Sequence, residues 1–157
     1  MITETGAGLP DANCYVTLAE ADAYFADRHR TAWAAASDGA REGALIRATD
    51  YIDSNYRFGD SATAAQALAL PLIAQTTIPA ALKKAVIELA FIALAEDLVA
   101  PAPASITETE KKLGSMSTKV VYSTPDTPRD RFEVITAILA RIARPRSSSV
   151  SEIRLLP

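Results

Sequence analysis

Apolar and polar positions along the chain fall into helical period in several stretches and lose it between them. The most apolar stretch is Pro79 to Val99, with Leu82, Val86, Leu89, Phe91, Ile92 and Leu94 recurring at helical spacing and alanines filling most gaps. A helix that is apolar on most of its circumference must be covered on several sides, so this stretch predicts a central buried helix. Charge survives only near its ends and along one line: Lys83, Lys84, Glu88, Glu96 and Asp97. Pro79 suits the first helical turn, where its missing N–H costs nothing, and Thr77 is placed to cap. Pro101 and Pro103 stop the helix beyond its far end. Its longest unbroken apolar run, Leu89 to Ala95, is far short of the roughly 20 residues a membrane span needs, and two lysines and three carboxylates interrupt the remainder.

The other elements are predicted to supply the cover. Thr17-Leu18-Ala19-Glu20 is a capping box, opening a helix from Leu18 to about Arg28 with Leu18, Ala21, Tyr24 and Phe25 on one face. His29 to Ala36 carries Trp33. Ser37 or Asp38 caps a second helix to about Ser54, with Leu45, Ala48 and Ile52 inward, Tyr51 at the flank, and Arg41, Glu42, Arg47, Asp50 and Asp53 outward. Met1 to Tyr15, punctuated by Gly6, Gly8, Pro10 and Asn13, reads as a loop or extended arm. Tyr56 to Thr77 is a long connection with a turn at Gly59-Asp60 and one or two helical turns over Ala64–Ala69, ended by Pro71. Ile106 to Leu113 and Ser117 to Tyr122 flank Gly114-Ser115 and predict a two-stranded hairpin. Asp126 or Thr127 caps a last helix with Phe132, Ile135, Leu139 and Ile142 on its inward stripe, ending by Pro145. The expected fold is therefore mainly α: a small helical bundle around a central buried helix (about 79–99), with one β-hairpin (about 106–122) and an extended C-terminal tail. The expected division is a helical domain over 1–145 and a docking tail over 146–157.

A chain of 157 residues suffices for one domain with a sizeable core. Its net charge of −3 makes it a poor general nucleic-acid binder, though a local basic patch remains open. The N-terminus lacks a basic region followed by an apolar stretch, so no signal peptide is expected. A single cysteine, Cys14, excludes an internal disulfide and a Cys-rich metal site, and a single histidine, His29, excludes a His cluster. A reducing cytoplasm is the expected compartment. Gly6-Ala7-Gly8 precedes no strand–helix unit and reads as turn chemistry rather than a phosphate loop. There is no Gly-x-Ser-x-Gly elbow. Cys14 and His29 have no third partner for thiol chemistry, and the carboxylate pairs Glu108/Glu110 and Asp50/Asp53 have no adjacent ligand to complete a metal set. No enzyme, cofactor or metal site is expected.

Three features remain. Arg141, Arg144 and Arg146 either complement a helix C-terminus or face an acidic partner or DNA. After Ser147-Ser148-Ser149 the tail turns apolar and basic at Val150, Ile153, Arg154, Leu155 and Leu156. That suits a segment that docks, on its own domain or on a partner. Tyr51, Tyr56, Arg57 and Phe58 form the sole aromatic–basic cluster, either a stacking surface or an aromatic plug closing the long connection.

The run Gly8-Leu9-Pro10-Asp11-Ala12-Asn13-Cys14-Tyr15-Val16, followed by Ala19-Glu20-Ala21-Asp22-Ala23-Tyr24-Phe25, resembles a family of small tailed-phage and prophage proteins often labelled DnaT-like single-stranded DNA-binding. The resemblance continues through Trp33, Ala44 to Asp53, Gln66 to Pro71, and Ile78-Pro79 to Leu94. It departs at Cys14, where Ser is usual, and at Leu70-Pro71-Leu72, which replaces an aromatic–Pro–Arg turn. The order of elements is also similar to that of the head–tail connector (adaptor) proteins of long-tailed phages. That likeness implies a virion protein of the neck between head and tail, assembled in the host cytoplasm as a homo-oligomeric ring of about a dozen copies. The ring would lie below the portal protein, prolong the channel for double-stranded DNA without binding it tightly, and meet the next neck or tail-completion protein. It implies portal contacts at Arg144, Arg146, Ile153, Arg154, Leu155 and Leu156. The alternative implied by the family label is a replication-associated single-stranded DNA-binding protein.

Overall fold

Two helices form the centre of the molecule. In the computed structural model, which describes residues 1–98, 111–113, 116–118 and 132–146, these are α3 (Asp38–Asn55) and α4 (Ala80–Ala95), the most extensively packed pair of described elements. Helix α4 buries Leu82, Ala85, Val86, Ile87, Leu89, Ala90 and Ala93; of the apolar positions read from the sequence, Leu82, Val86 and Leu89 are buried, whereas Phe91, Ile92 and Leu94 are half-buried against the core. Helix α3 contributes Ala44, Leu45, Ala48, Thr49 and Ile52. Buried alanines on both helices allow close approach of their axes. A hydrogen bond from Arg47 Nη2 to the Ala93 carbonyl (2.6 Å) satisfies one of the open carbonyls of the last turn of α4.

The ends of α4 differ from expectation. Pro79 is its N-cap, with extended backbone (φ −58°, ψ 135°), and no side chain caps it, so Thr77 does not serve. The Pro79 carbonyl instead accepts from Leu82 N (3.0 Å) and Lys83 N (3.2 Å). The helix stops at Ala95, short of 99, because Glu96 turns extended (φ −149°, ψ 162°) before any proline is reached.

Around this pair lie α1 (Leu18–Ala26), the four-residue α2 (Thr31–Ala34) and α5 (Glu133–Leu139). The capping box at Thr17 and Glu20 is formed in both directions, with Thr17 N donating to Glu20 Oε2 (2.9 Å) and Glu20 N to Thr17 Oγ1 (3.2 Å). Ser37 caps α3 through Ala40 N. Lys83 and Glu20 (2.6 Å) tie α4 to α1, as does the Tyr24 hydroxyl donating to Glu88. Phe25 packs on Trp33 (4.7 Å between centroids) and on Phe91 (5.4 Å), joining α1, α2 and α4 in one aromatic group. Helix α5 buries Ile135 and Leu139, with Phe132 as its N-cap and Ile142 half-buried beyond its end. The proposed caps Asp126 and Thr127 lie outside the described residues.

Two antiparallel strand pairs are present among the described residues. The expected hairpin pairs β2 (Lys111–Leu113) with β3 (Met116–Thr118), Lys112 opposite Ser117. The second pair joins β1 (Tyr56–Arg57), directly after α3, to β4 (Arg144–Pro145), beyond α5. No helix of the described residues is long and apolar enough to cross a membrane.

The N-terminal arm and the long connection are more ordered than loop chemistry alone implies. Thr3 bridges Cys14 in parallel, and Cys14, Tyr15 and Val16 are fully buried. Glu4 is 1% exposed, and its carboxylate accepts four backbone N–H bonds: from Gly6 (2.8 Å), Ala7 (2.8 Å) and Gly8 (3.0 Å) to Oε1, and from Leu9 (2.7 Å) to Oε2. Burial pushes this carboxyl up, but the four N–H groups outweigh it and hold it below the ordinary range. Gly6 (φ +108°) is required there, since a Cβ would lie 2.2 Å from the Thr76 carbonyl oxygen. Ala64–Ala69 forms no helix. Gln66 ties it into turns instead, accepting from Thr63 N (3.0 Å) and donating to the Leu68 (2.8 Å) and Pro71 (3.0 Å) carbonyls. The Leu70–Pro71 peptide is cis.

Asp53 was expected to face solvent and does not. Its carboxylate accepts from the Tyr15 hydroxyl (2.8 and 2.9 Å) and from Ala69 N (2.9 Å). Helix α3 therefore has an apolar face towards α4 and a carboxylate that anchors the arm and the long connection.

Candidate nucleic-acid interface

The short β1–β4 pair is held at its Tyr56–Pro145 end. Arg146 N donates to the Asn55 carbonyl (2.8 Å), and Arg146 Nε to the Tyr56 carbonyl (3.3 Å). Tyr56 is 5% exposed and shares a hydrogen bond of 2.7 Å with the Thr136 hydroxyl, pinning β1 to α5. The register places Tyr56 opposite Pro145 and Arg57 opposite Arg144. Arg57 and Arg144 are both exposed.

Like charges directly opposite on paired strands repel, so this register carries an electrostatic cost that an anion between them would remove. Arg141, in the turn that follows α5, joins the same site. The three arginines and Phe58 border a cleft of about 480 Å³, with Ile142 and Ala143 completing the wall on the α5 side. None of the three forms an ion pair with a described residue. Among the carboxylates, Asp53 is near enough to Arg146 to feel its charge. Burial dominates Asp53, however, and holds its carboxyl above the ordinary aspartate value.

The aromatic–basic cluster expected from sequence divides in two. Tyr56 is a plug, and Tyr51 is half-buried and packs edge-to-face on Phe132 at 5.2 Å. Arg57 and Phe58 face the cleft. Of the expected partner-binding residues, Arg144 lies at the cleft and Arg146 clamps its base, while Ile153, Arg154, Leu155 and Leu156 lie outside the described residues. Arg141 and Arg144 were grouped from sequence, but Arg57 could not be joined to them. The sequence offered two separate signals, the arginines after α5 and the aromatic–basic run at Arg57 and Phe58, and the strand pair that joins them is two residues long.

A second cleft, of about 380 Å³, lies between α1 and α2, against the start of α3. Its charges are largely satisfied internally. Asp22 Oδ1 accepts from Trp33 Nε1 (2.7 Å) and Arg41 Nη1 (2.6 Å), and Arg41 Nη2 bonds Asp38 (2.6 Å). Its floor, Phe25 and Trp33, belongs to the core.

Cys14 is fully buried. Its Sγ accepts from Val16 N (3.5 Å) and the Thr49 hydroxyl (3.6 Å), and burial pushes the thiol up, the wrong direction for a nucleophile. His29 is exposed, in left-handed backbone (φ 53°) beyond the end of α1. No group of three or more His, Cys, Asp or Glu side chains placed to hold a metal occurs among the described residues.

A family model described as "Putative DnaT-like ssDNA binding protein" matches residues 1–155. No curated protein and no solved structure matches the chain.

Proposed function

The chain belongs to the family of putative DnaT-like ssDNA binding proteins, and from that premise we propose that it is a non-enzymatic protein that binds single-stranded DNA at the cleft of Arg57, Arg141 and Arg144. The observation that carries this reading is the register of β1 and β4, which sets Arg57 against Arg144 with no described carboxylate paired to either. Phosphates of a strand entering the cleft relieve that repulsion and release their condensed counterions. The guanidinium forks take phosphate oxygens in bidentate geometry. The net charge of −3 on the whole chain opposes the attraction at this cleft, so affinity is modest and falls with salt.

The test is fluorescence anisotropy with a labelled single-stranded oligonucleotide over a series of salt concentrations. Three phosphate contacts give a slope of log K against log salt of about −2 for a single strand. The double variant Arg57→Ala/Arg144→Ala lowers both the affinity and the slope. Absence of binding at low salt overturns the reading.

A second reading, a head–tail connector subunit, is favoured by one observation: a chain that is acidic overall brings Arg57, Arg141 and Arg144 together at one cleft, none of them in an ion pair with a described residue. Such a surface touches DNA locally and repels it elsewhere, which suits a ring through which a duplex slides. In that reading the protein is a virion component of the neck, its copies close into a ring below the portal, and Arg144, Arg146 and the segment carrying Ile153, Arg154, Leu155 and Leu156 contact the portal. Mixing the protein with portal and removing residues 150–157 separates the readings. The connector reading requires a ring-sized complex that the deletion abolishes; single-stranded DNA binding at the cleft requires neither.

A further inference from the structure

Within the single-stranded DNA reading, on which this step rests, we infer that Phe58 is a stacking platform for one unpaired base, so that the cleft selects single-stranded over double-stranded nucleic acid. Phe58 follows directly on Arg57 at the end of β1, so the strand pair and the buried Tyr56 fix where its ring is presented. It is half-buried: part of the ring packs against the core, and part borders the cleft. An aromatic ring already anchored in this way loses little side-chain freedom when a base stacks on it. Phe58 is also the one member of the aromatic cluster in that position, since Tyr56 is committed to Thr136 and Tyr51 packs on Phe132.

The arginines and the ring are complementary in what they take. Arg57, Arg141 and Arg144 are suited to phosphates, and every base offers a π-face to an aromatic ring, so sequence preference is weak. A cleft of about 480 Å³ admits a group the size of a nucleoside but not a duplex. In a duplex the bases are stacked on one another and paired, and presenting one to Phe58 requires unstacking it. The phosphates of a duplex still reach the arginines, so double-stranded DNA binds by charge alone.

The experiment compares, on the full-length protein, a labelled oligothymidylate, an abasic strand of the same length and charge, and a duplex. Oligothymidylate is expected to bind roughly five- to a hundredfold more tightly than the abasic strand, the range that one base–aromatic contact supplies. Phe58→Leu is expected to bring oligothymidylate down to the abasic level while leaving the salt slope unchanged, and Phe58→Trp to retain the preference. Equal binding of oligothymidylate and the abasic strand by the unaltered protein overturns the stacking assignment, and this comparison needs no variant to fold. Undiminished binding by a folded Phe58→Leu protein overturns it as well. Both results leave arginine-dependent DNA binding intact, whereas loss of all DNA binding, or binding indifferent to Arg57→Ala/Arg144→Ala, overturns the functional reading itself.

Discussion

The Tyr15 hydroxyl lies 2.8 and 2.9 Å from the two carboxylate oxygens of Asp53, 38 positions away. The same hydroxyl accepts from Leu70 N (3.1 Å), and Asp53 accepts from Ala69 N (2.9 Å). Two side chains thereby join the N-terminal arm, α3 and the long connection, with Tyr15 fully buried. Tyr15→Phe keeps the ring and removes every one of its polar contacts, leaving the buried Leu70 N–H without its acceptor. The expected cost is about 1–3 kcal/mol, read as a lower urea midpoint at unchanged m-value.

Glu4 and Asp53 set opposite pH dependences. Glu4 has a lowered native pKa, so its stabilisation is complete above about 4.5, the ordinary glutamate value, and is lost as pH falls through the native value. Asp53 has a raised native pKa, chiefly from burial, so it favours the native state less as pH rises from the ordinary aspartate value through the native one. Urea titrations across pH 3–7 of Glu4→Gln and Asp53→Asn should show this sign reversal. Glu4→Gln is less stable than the unaltered protein near neutrality, by about 1.5–3 kcal/mol, and the gap narrows in acid. Asp53→Asn removes a component of the opposite slope.

Gly6→Ala tests the arm by a different route. The substitution is strained twice, by φ of +108° and by a Cβ placed 2.2 Å from backbone that cannot swing aside. The arm must move off Thr76, and the loss expected is roughly 2 kcal/mol or more. The lowered thermal midpoint should be accompanied by faster amide exchange at Ala7, Gly8 and Leu9, whose N–H groups the Glu4 carboxylate holds.

Arg144→Gln should trade binding for stability. It removes the cross-strand repulsion with Arg57 and should raise the melting temperature by about one or two degrees. The same change should lower DNA affinity and reduce the salt slope by about 0.7. A variant with a lower melting temperature and unchanged DNA affinity would contradict both the electrostatic argument and the site.

Local features were readable from the sequence and long-range ones were not. The Thr17/Glu20 capping box, the Ser37 cap and the Leu82, Val86 and Leu89 part of the α4 stripe depend on residues within one or two turns of each other, and each appears in the structure as expected. The inward position of Asp53 was not legible, because a carboxylate on a helix ordinarily marks the solvated face and its partners Tyr15 and Ala69 come from distant segments. Thr77 was read as a cap by residue type, whereas the extended backbone of Pro79 opens α4 with no side-chain cap. Arg141 and Arg144 stood out as a basic run, but Arg57 joins them through a strand pair too short to leave a periodic signal.

The β1–β4 clasp has a consequence for when the cleft forms. Arg146 and Tyr56 bond across 90 positions, so the cleft closes one of the longest loops in the chain. Contacts of such separation form late, after the entropy of closing the loop has been met by packing elsewhere. A nascent chain emerging from the ribosome has α1 to α4 in hand well before Arg141 and Arg144 are made. The cleft thus needs the segment that follows α5 as well as the helices before it, and copies truncated before Arg141, however well α1 to α4 pack, lack one wall of it.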